Sequence, residues 1–134
     1  MDIEKVIRKG IVNEESFKVA DEHSAIQVGS GGSNVLATPW LIAFMERVAY
    51  QMLADILPEG KSSVGVLVDV RHQAPTPIGS TVRVRAEIDE LQGSRVVFGV
   101  QAWDPIEKIG QGTHHRVVID EARFMQRVEG KILV

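Results

Sequence analysis

The apolar residues of this chain recur with a helical period in one segment and with a strand period in several others. In 38–57 they return every three or four positions, Pro39 suits the first helical turn, and Pro58 and Gly60 end the run. Thr38 is predicted to be the N-cap, because its hydroxyl can accept a hydrogen bond from a backbone amide of the first turn. The pattern therefore predicts one long helix with an apolar face.

Strand-like alternation precedes this helix once and follows it four times. The first run, 15–20, is weak, and the segment 21–37, which has little periodicity, leads from it to the helix. The later runs cover 63–74, 81–91, 96–103 and 108–120, and a last helical turn is predicted at 121–128. Irregular segments as long as 21–37 are often functional lids or binding loops.

The alternation also assigns a face to each strand residue, because neighbouring side chains point to opposite sides of a sheet. In the run 81–91 the inward series is Val82, Val84, Ala86 and Ile88. In the run 63–74 it is Val64, Val66, Val68 and Val70, and His72 continues the series. We therefore expect His72 to face the same interior as the helix.

The order of the elements is a strand, a long loop, one helix and then a meander of four strands, which predicts an α+β protein. A single apolar helix needs a sheet to cover it, and a curved antiparallel sheet wrapped around the helix buries both. We therefore predict a hotdog fold in a single domain, 1–134. Such a sheet leaves open edges, so two copies are expected to pair edge to edge as a homodimer.

Composition excludes several classes of function. The net charge of -3 and the 5% of aromatic residues give neither the basic surface nor the stacking surface of a nucleic-acid-binding protein. The lack of cysteine removes disulfides, thiolate nucleophiles and cysteine-bound zinc. No apolar stretch reaches membrane-spanning or signal-peptide length, so we expect a cytoplasmic protein with no membrane partner.

The histidines and glycines give little support to a metal or a nucleotide. His114 and His115 are adjacent and should point to opposite faces of a strand, and His23 is distant in sequence. The glycine-rich segment 29–33 lacks the lysine of a P-loop and is interpreted as a flexible loop. We therefore expect neither a metal nor another cofactor.

Glu46 stands out in the helix because the face around it is otherwise apolar. The residues three, four and seven positions away from it carry no charge that could pair with it. Burial of a carboxylate favours its neutral form and is one way in which proteins build proton-transfer sites. The structural alternative is a carboxylate that a loop or a second copy keeps hydrated, or one held by a hydrogen bond.

His72 and Thr38 can join Glu46 in one site. A carboxylate and an imidazole that face the same interior are the usual partners in acid–base catalysis. His72 can equally be a core residue, and Thr38 can equally be no more than a helix cap. A helix N-terminus also offers amide groups to a developing oxyanion, so capping and catalysis are compatible at Thr38.

Gly65 and Arg116 are weaker candidates. A glycine in a strand, such as Gly65, either lets a ligand approach the backbone or marks a bulge. Arg116 is predicted on the strand face opposite His115, where it can bind a phosphate or a carboxylate, or remain solvated.

Three segments, LATPWLIAFMER, VGVLVDVRHQAPTPIGS and KIGQGTHHRVVI, resemble the hotdog acyl-CoA thioesterases of the fluoroacetyl-CoA thioesterase type. The resemblance extends over about 33–126. It implies hydrolysis of an acyl-CoA thioester by a catalytic group formed by Thr38, Glu46 and His72, with coenzyme A as part of the substrate. It also implies that the Gly65 amide receives the thioester oxygen and that Arg116 contacts the bound acyl-CoA.

One departure from that family concerns the acyl group. The fluoroacetyl-specific enzyme has two phenylalanines before the helix that cover the acyl group, and here this stretch contains Gly29 and Gly32. The bulk of Trp40, Phe44 and Met45 favours small acyl groups, whereas the open loop can admit longer or aromatic ones. The alternatives are a hotdog hydratase or dehydratase, and an acyl-CoA-binding module without catalysis.

Overall fold

The computed structural model describes residues 5–132 and contains one antiparallel sheet and one long helix. The strands are β1 (Val12–Lys18), β2 (Lys61–His72), β3 (Thr81–Gln92), β4 (Arg95–Trp103) and β5 (Lys108–Asp120). The helices are α1 (Ala25–Val28), α2 (Thr38–Ile56) and α3 (Glu121–Glu129), and a 3-10 turn covers Asp21–His23. This is the arrangement predicted for a hotdog fold.

The order of strands across the sheet is β1-β3-β4-β5-β2. The strands β3, β4 and β5 form a meander, but β2 pairs with β5 rather than with β3. The predicted four-stranded meander is therefore wrong in its first connection. As a consequence, β2, which follows α2 in sequence, is an edge strand of the sheet.

The helix α2 packs its apolar side against one face of the sheet, as its period predicted. The predicted inward series of β3 is confirmed, since these four side chains are 0% exposed: Val82, Val84, Ala86 and Ile88. Facing them from α2 are the buried side chains of Leu41, Phe44, Met45, Val48 and Leu53. Burial of each large side chain contributes roughly 1.5–3 kcal/mol, so the face shared by helix and sheet is the main source of stability.

The segment before α2 contains more regular structure than its sequence predicted. Besides the 3-10 turn it contains α1, whose N-cap Ser24 accepts a hydrogen bond from the amide of Gln27 at 3.1 Å. The amide of Ala25 donates to the carbonyl of Val35 at 2.8 Å, which closes the segment on itself. The helical turn predicted at 121–128 is observed as the helix α3, which has 9 residues.

A β-bulge at Val66 interrupts the alternation of β2, since the register with β5 shifts between Gly65 and Leu67. The series that faces the helix changes parity at this bulge. The prediction that His72 faces the helix is correct, but the assignment of Val64 to the same face is wrong. The residues of β2 on the helix side are Ser63, Gly65, Val68, Val70 and His72.

Candidate active site

Thr38 begins α2, but its side chain turns toward β2. Ala37 is the N-cap residue, and its carbonyl accepts the first helical hydrogen bonds, from the amides of Trp40 and Leu41 at 3.0 and 3.1 Å. The predicted capping role of Thr38 is therefore wrong. Its Oγ1 instead forms a hydrogen bond with Nδ1 of His72 at 2.7 Å. The fold thus brings these two predicted site residues together.

The imidazole of His72 is neutral and has one ring nitrogen without a partner among the described residues. Burial lowers the pKa of His72 from its ordinary value, which favours the neutral ring. Its Nε2 is buried and has no hydrogen-bond partner within 5–132. Because buried polar atoms are normally paired, this nitrogen is a candidate contact for a substrate or for a second protein chain.

A cavity of about 340 Å³ opens beside Thr38 and His72. Its other lining residues are small or apolar for the most part: Ala25, Ser30, Val35, Leu36, Ala37, Gln73, Ala74 and Pro75. The bulky residues expected to crowd this end of the helix do not line it, because Phe44 and Met45 are buried in the core. The geometry therefore removes the main reason for expecting small acyl groups.

Glu46 lies further along α2 and finds its partners on β5. Its Oε2 is 3.7 Å from Nη1 of Arg116 and 4.0 Å from Nε2 of His114. The side chain of Glu46 remains 43% exposed, so the carboxylate is both paired and accessible. Helical spacing could not show these partners, because they belong to a strand that is distant in sequence.

Gly65 allows this cluster to pack against β2. A Cβ at Gly65 would lie 2.7 Å from Oε2 of Glu46 and 3.1 Å from Cε1 of His114. The group that approaches Gly65 in this structure is thus the carboxylate of Glu46, and approach of a ligand to this backbone stays a prediction. The bulge that was the alternative explanation lies at the next residue of the strand.

Arg116 is a buried charge, with 6% of the residue exposed. Its Nε donates to Oγ of Ser63 at 2.9 Å, and its Nη2 donates to the carbonyl of Ser63 at 3.0 Å. Its Nη1 lies 3.1 Å from Nε2 of His114. Burial lowers the pKa of Arg116, yet a guanidinium stays charged in a protein. Arg116 is therefore an internal cation rather than a solvated strand residue.

The two groups of residues are separate in one chain. Thr38 and Glu46 are eight positions apart on one helix, which corresponds to about 12 Å along its axis. Among residues 5–132, no hydrogen bond or ion pair joins Glu46 to Thr38 or to His72. The structure therefore brings together Thr38 with His72, and Glu46 with Gly65 and Arg116, but not all three predicted catalytic residues.

His114 belongs to the second group, although the sequence was interpreted only with respect to metal binding. The expectation that His114 and His115 point to opposite faces is confirmed, because His114 contacts Arg116 whereas His115 contacts Arg95. The signal for its role was the spacing of two between His114 and Arg116, which places both on the helix side of β5.

Two further properties concern the part of the chain that the structure describes. Within 5–132, no group of three or more histidine, aspartate or glutamate side chains could hold a metal ion. Within the same range, none of the helices is both long and apolar enough to cross a membrane.

Comparison with known proteins assigns the chain to a family. The model of the fluoroacetyl-CoA-specific thioesterase family matches residues 19–122. The chain belongs to this family. The fluoroacetyl-CoA thioesterase of Streptantibioticus cattleyicolor is 38% identical to it over 97 residues, which are 72% of this chain and 70% of that protein. The resemblance found in the sequence is thereby confirmed.

Solved structures extend the likeness to the whole fold. A mutant of fluoroacetyl-CoA thioesterase in complex with acetyl-CoA has a TM-score of 0.88 and 30% identity, over 93% of this chain and 98% of that chain. A hot-dog-like protein from Thermanaerovibrio acidaminovorans has a TM-score of 0.92 and 27% identity, over 100% and 99% of the two chains. The hotdog fold is confirmed, and its family makes this chain a thioester hydrolase.

Proposed function

We propose that this protein hydrolyses acyl-CoA thioesters to a free acid and coenzyme A, and that Thr38, Glu46 and His72 carry the reaction. The observation that supports this most directly is the Thr38–His72 pair. It combines a hydroxyl 2.7 Å from an imidazole with a second imidazole nitrogen that is buried and has no partner within 5–132. The pair borders a cavity of about 340 Å³, large enough for part of a ligand.

In the proposed reaction the thioester carbon gains a bond to oxygen and loses its bond to sulfur. The carboxylate of Glu46 either attacks this carbon or removes a proton from an attacking water. Direct attack forms a mixed anhydride with Glu46, and water then cleaves it to the free acid and the carboxylate. The backbone amide of Gly65 donates to the carbonyl oxygen while that oxygen carries negative charge. His72, whose Nδ1 accepts from the Thr38 hydroxyl, donates a hydrogen bond from Nε2 to the departing thiolate, and the thiolate takes its proton from water.

Arg116 acts on Glu46 in this scheme. Its Nε and Nη2 are engaged by Ser63, and Nη1, which lies 3.1 Å from Nε2 of His114, is also 3.7 Å from Oε2 of Glu46. A guanidinium at that distance favours the ionised carboxylate that either form of attack needs. From the same nitrogen it could also reach an oxygen of the acyl-CoA, which is the contact implied by the family resemblance.

We further propose that the complete site forms between two copies of the chain. The edge strand β2 exposes three consecutive apolar residues, Val66, Leu67 and Val68, each between 41% and 47% exposed. Antiparallel pairing of this strand with its own copy about a two-fold axis buries them. The same pairing sets the His72 end of one β2 opposite the stretch of its partner that contains Gly65. Thr38 and His72 of one copy then approach Glu46 of the other.

We propose that the enzyme accepts a broader range of acyl groups than fluoroacetyl. The cavity beside His72 is lined mainly by small residues, and the segment around Gly29 and Gly32 has no aromatic side chain that could close over it. Short aliphatic and aromatic acyl groups both fit this description. The cytoplasmic location expected from the sequence stays a prediction.

A thiol-release assay with a panel of coenzyme A esters tests the activity, and acetyl-, fluoroacetyl-, butyryl- and phenylacetyl-CoA form a suitable panel. We expect release with the non-fluorinated esters, and a loss of roughly 100- to 10,000-fold in kcat for Glu46→Gln and for His72→Ala. Unchanged rates in both variants would contradict the assignment of these residues. Binding without thiol release would instead favour an acyl-CoA-binding module, and altered acyl-CoA without thiol release a hydratase or dehydratase.

Isotope labelling in a single turnover tests direct attack by Glu46. With excess enzyme in water labelled with oxygen-18, direct attack followed by cleavage of the anhydride at the Glu46 carbonyl leaves the first acid product unlabelled, because its new oxygen comes from the carboxylate. A labelled first product shows instead that water attacks the acyl carbon.

A further inference from the structure

His114 lies behind the cluster of Glu46, Gly65 and Arg116, on a part of β5 that substrate does not reach in the proposed reaction. It is 1% exposed, and its ring stacks near that of Phe98 at 6.3 Å between centroids. We propose that His114 is a positioning residue that fixes Arg116 and the β2 bulge so that Glu46 is held for catalysis. This inference rests on the proposed thioester hydrolysis.

The hydrogen bonds of His114 define one tautomer of the ring. Its Nδ1 lies 2.9 Å from the carbonyl oxygen of Leu67, which can only accept, so Nδ1 carries the proton. Its Nε2 lies 3.1 Å from Nη1 of Arg116, which can only donate, so Nε2 accepts. Burial, and then the neighbouring guanidinium, lower the pKa of His114 and support this neutral form.

The neutral ring completes the support of Arg116. Ser63 accepts hydrogen bonds from two guanidinium nitrogens, and Nε2 of His114 accepts one from the third. Three acceptors fix the plane of a guanidinium. Nη1 then meets Oε2 of Glu46 at 3.7 Å, beyond hydrogen-bond distance, so the carboxylate is attracted without being fully bound.

The same ring also forms a hydrogen bond next to the bulge of β2. Leu67, whose carbonyl accepts from Nδ1, is the first residue of β2 that pairs normally after the shift. The ring also borders Gly65, because a Cβ there would lie 3.1 Å from Cε1 of His114. One imidazole therefore supports both the cation beside Glu46 and the backbone assigned to the thioester oxygen.

Two substitutions separate the two hydrogen bonds of His114. In His114→Asn the side-chain amide can replace Nδ1 as the donor to Leu67, but the acceptor for Arg116 is lost. In His114→Gln the side-chain oxygen can reach the place of Nε2 and accept from Arg116, while the donor to Leu67 is lost. His115→Asn is the matched control, since His115 lies on the opposite face and contacts Arg95.

The measurements are kcat and KM for thiol release and the melting temperature of each variant. We expect His114→Asn to lower kcat by roughly 10- to 100-fold, the effect of a misplaced catalytic group, with little change in KM. We expect His114→Gln to recover most of kcat although its melting temperature falls as well, and His115→Asn to match the wild type.

Three results would overturn the inference while the wild-type enzyme is active. They are an unchanged kcat in His114→Asn, losses of kcat in both variants that simply follow the melting temperature, and an equal loss in His115→Asn. A wild-type protein that releases no thiol from any ester would overturn the proposed function, and this inference with it.

Discussion

The Thr38–His72 pair and the Glu46–Arg116 pair each take one residue from α2, but the first pair is uncharged and the second is an ion pair. The first is a hydroxyl bonded to an imidazole that burial keeps neutral. The second is a carboxylate 3.7 Å from a buried guanidinium. The reaction proposed above uses the imidazole of the first and the carboxylate of the second, so neither pair alone is the complete proposed site. Their separation of about 12 Å along the helix makes a site shared between two copies the simplest solution.

A mixed dimer tests this sharing and has the largest expected effect. Glu46→Gln and His72→Ala should each be nearly inactive alone. If each site takes Glu46 from one copy and His72 from the other, a dimer of the two variants contains one intact site. Random exchange of subunits then restores about a quarter of the wild-type rate, since half of the dimers are mixed and each has one working site of two.

The reference for this experiment is a mixture assayed before subunits can exchange, which should remain inactive. Subunit exchange is followed separately by mass spectrometry of the native dimers. If mixed dimers form and the rate stays at the level of the single variants, Glu46 and His72 act within one chain and the shared site is wrong.

Gly65→Ala tests the region of the Glu46–Arg116 pair and has an intermediate effect. The new Cβ would lie 2.7 Å from Oε2 of Glu46, closer than atoms in contact allow, so the carboxylate must move. A shift of about an ångström in a catalytic group lowers kcat by roughly 100-fold, which thiol release measures directly. The control is Gly130→Ala at the end of α3, where the nearest atom to a Cβ is 3.4 Å away. A fully active Gly65→Ala enzyme would mean that the position of Glu46 is not critical.

The sequence predicted well what depends on local periodicity. The extent of α2 and the inward series of β3 follow directly from the spacing of apolar residues, and the structure confirms them. The face of His72 was also predicted from the alternation of its strand, and the structure confirms that it faces the start of the helix. Those predictions needed no information about distant pairings.

The errors arise where a residue's environment is set by a distant strand. The bulge at Val66 depends on the register between β2 and β5, and a single extra residue reverses the face assigned to Val64. The partners of Glu46 likewise come from β5, which lies next to α2 only after the whole sheet has formed. Thr38 was expected to cap the helix because threonine suits that position, but Ala37 is the N-cap residue and the Thr38 hydroxyl bonds to His72 on β2 instead.

The pH dependence of stability compares the two histidines and has the smallest expected effect. Burial lowers the pKa of both His72 and His114, whereas a histidine in the unfolded chain titrates near 6.5. Below that pH the histidine of the unfolded chain is protonated while the ring in the native state is still neutral. The free energy of unfolding therefore falls as the pH decreases. The fall stops below the native pKa, and its slope is at most about 1.4 kcal/mol per pH unit for each histidine.

Denaturant unfolding at a series of pH values between about 7.5 and 5 measures this slope. Asp89, whose pKa is raised by burial, has the opposite effect, because the native state binds its proton first as the pH falls. The variants separate the histidines from Asp89. We expect His72→Ala and His114→Gln each to remove part of the wild-type slope of the free energy of unfolding against pH. If neither variant changes this slope, both imidazoles bind protons as readily in the native state as in the unfolded chain. The assignment of neutral rings to His72 and His114 would then be wrong.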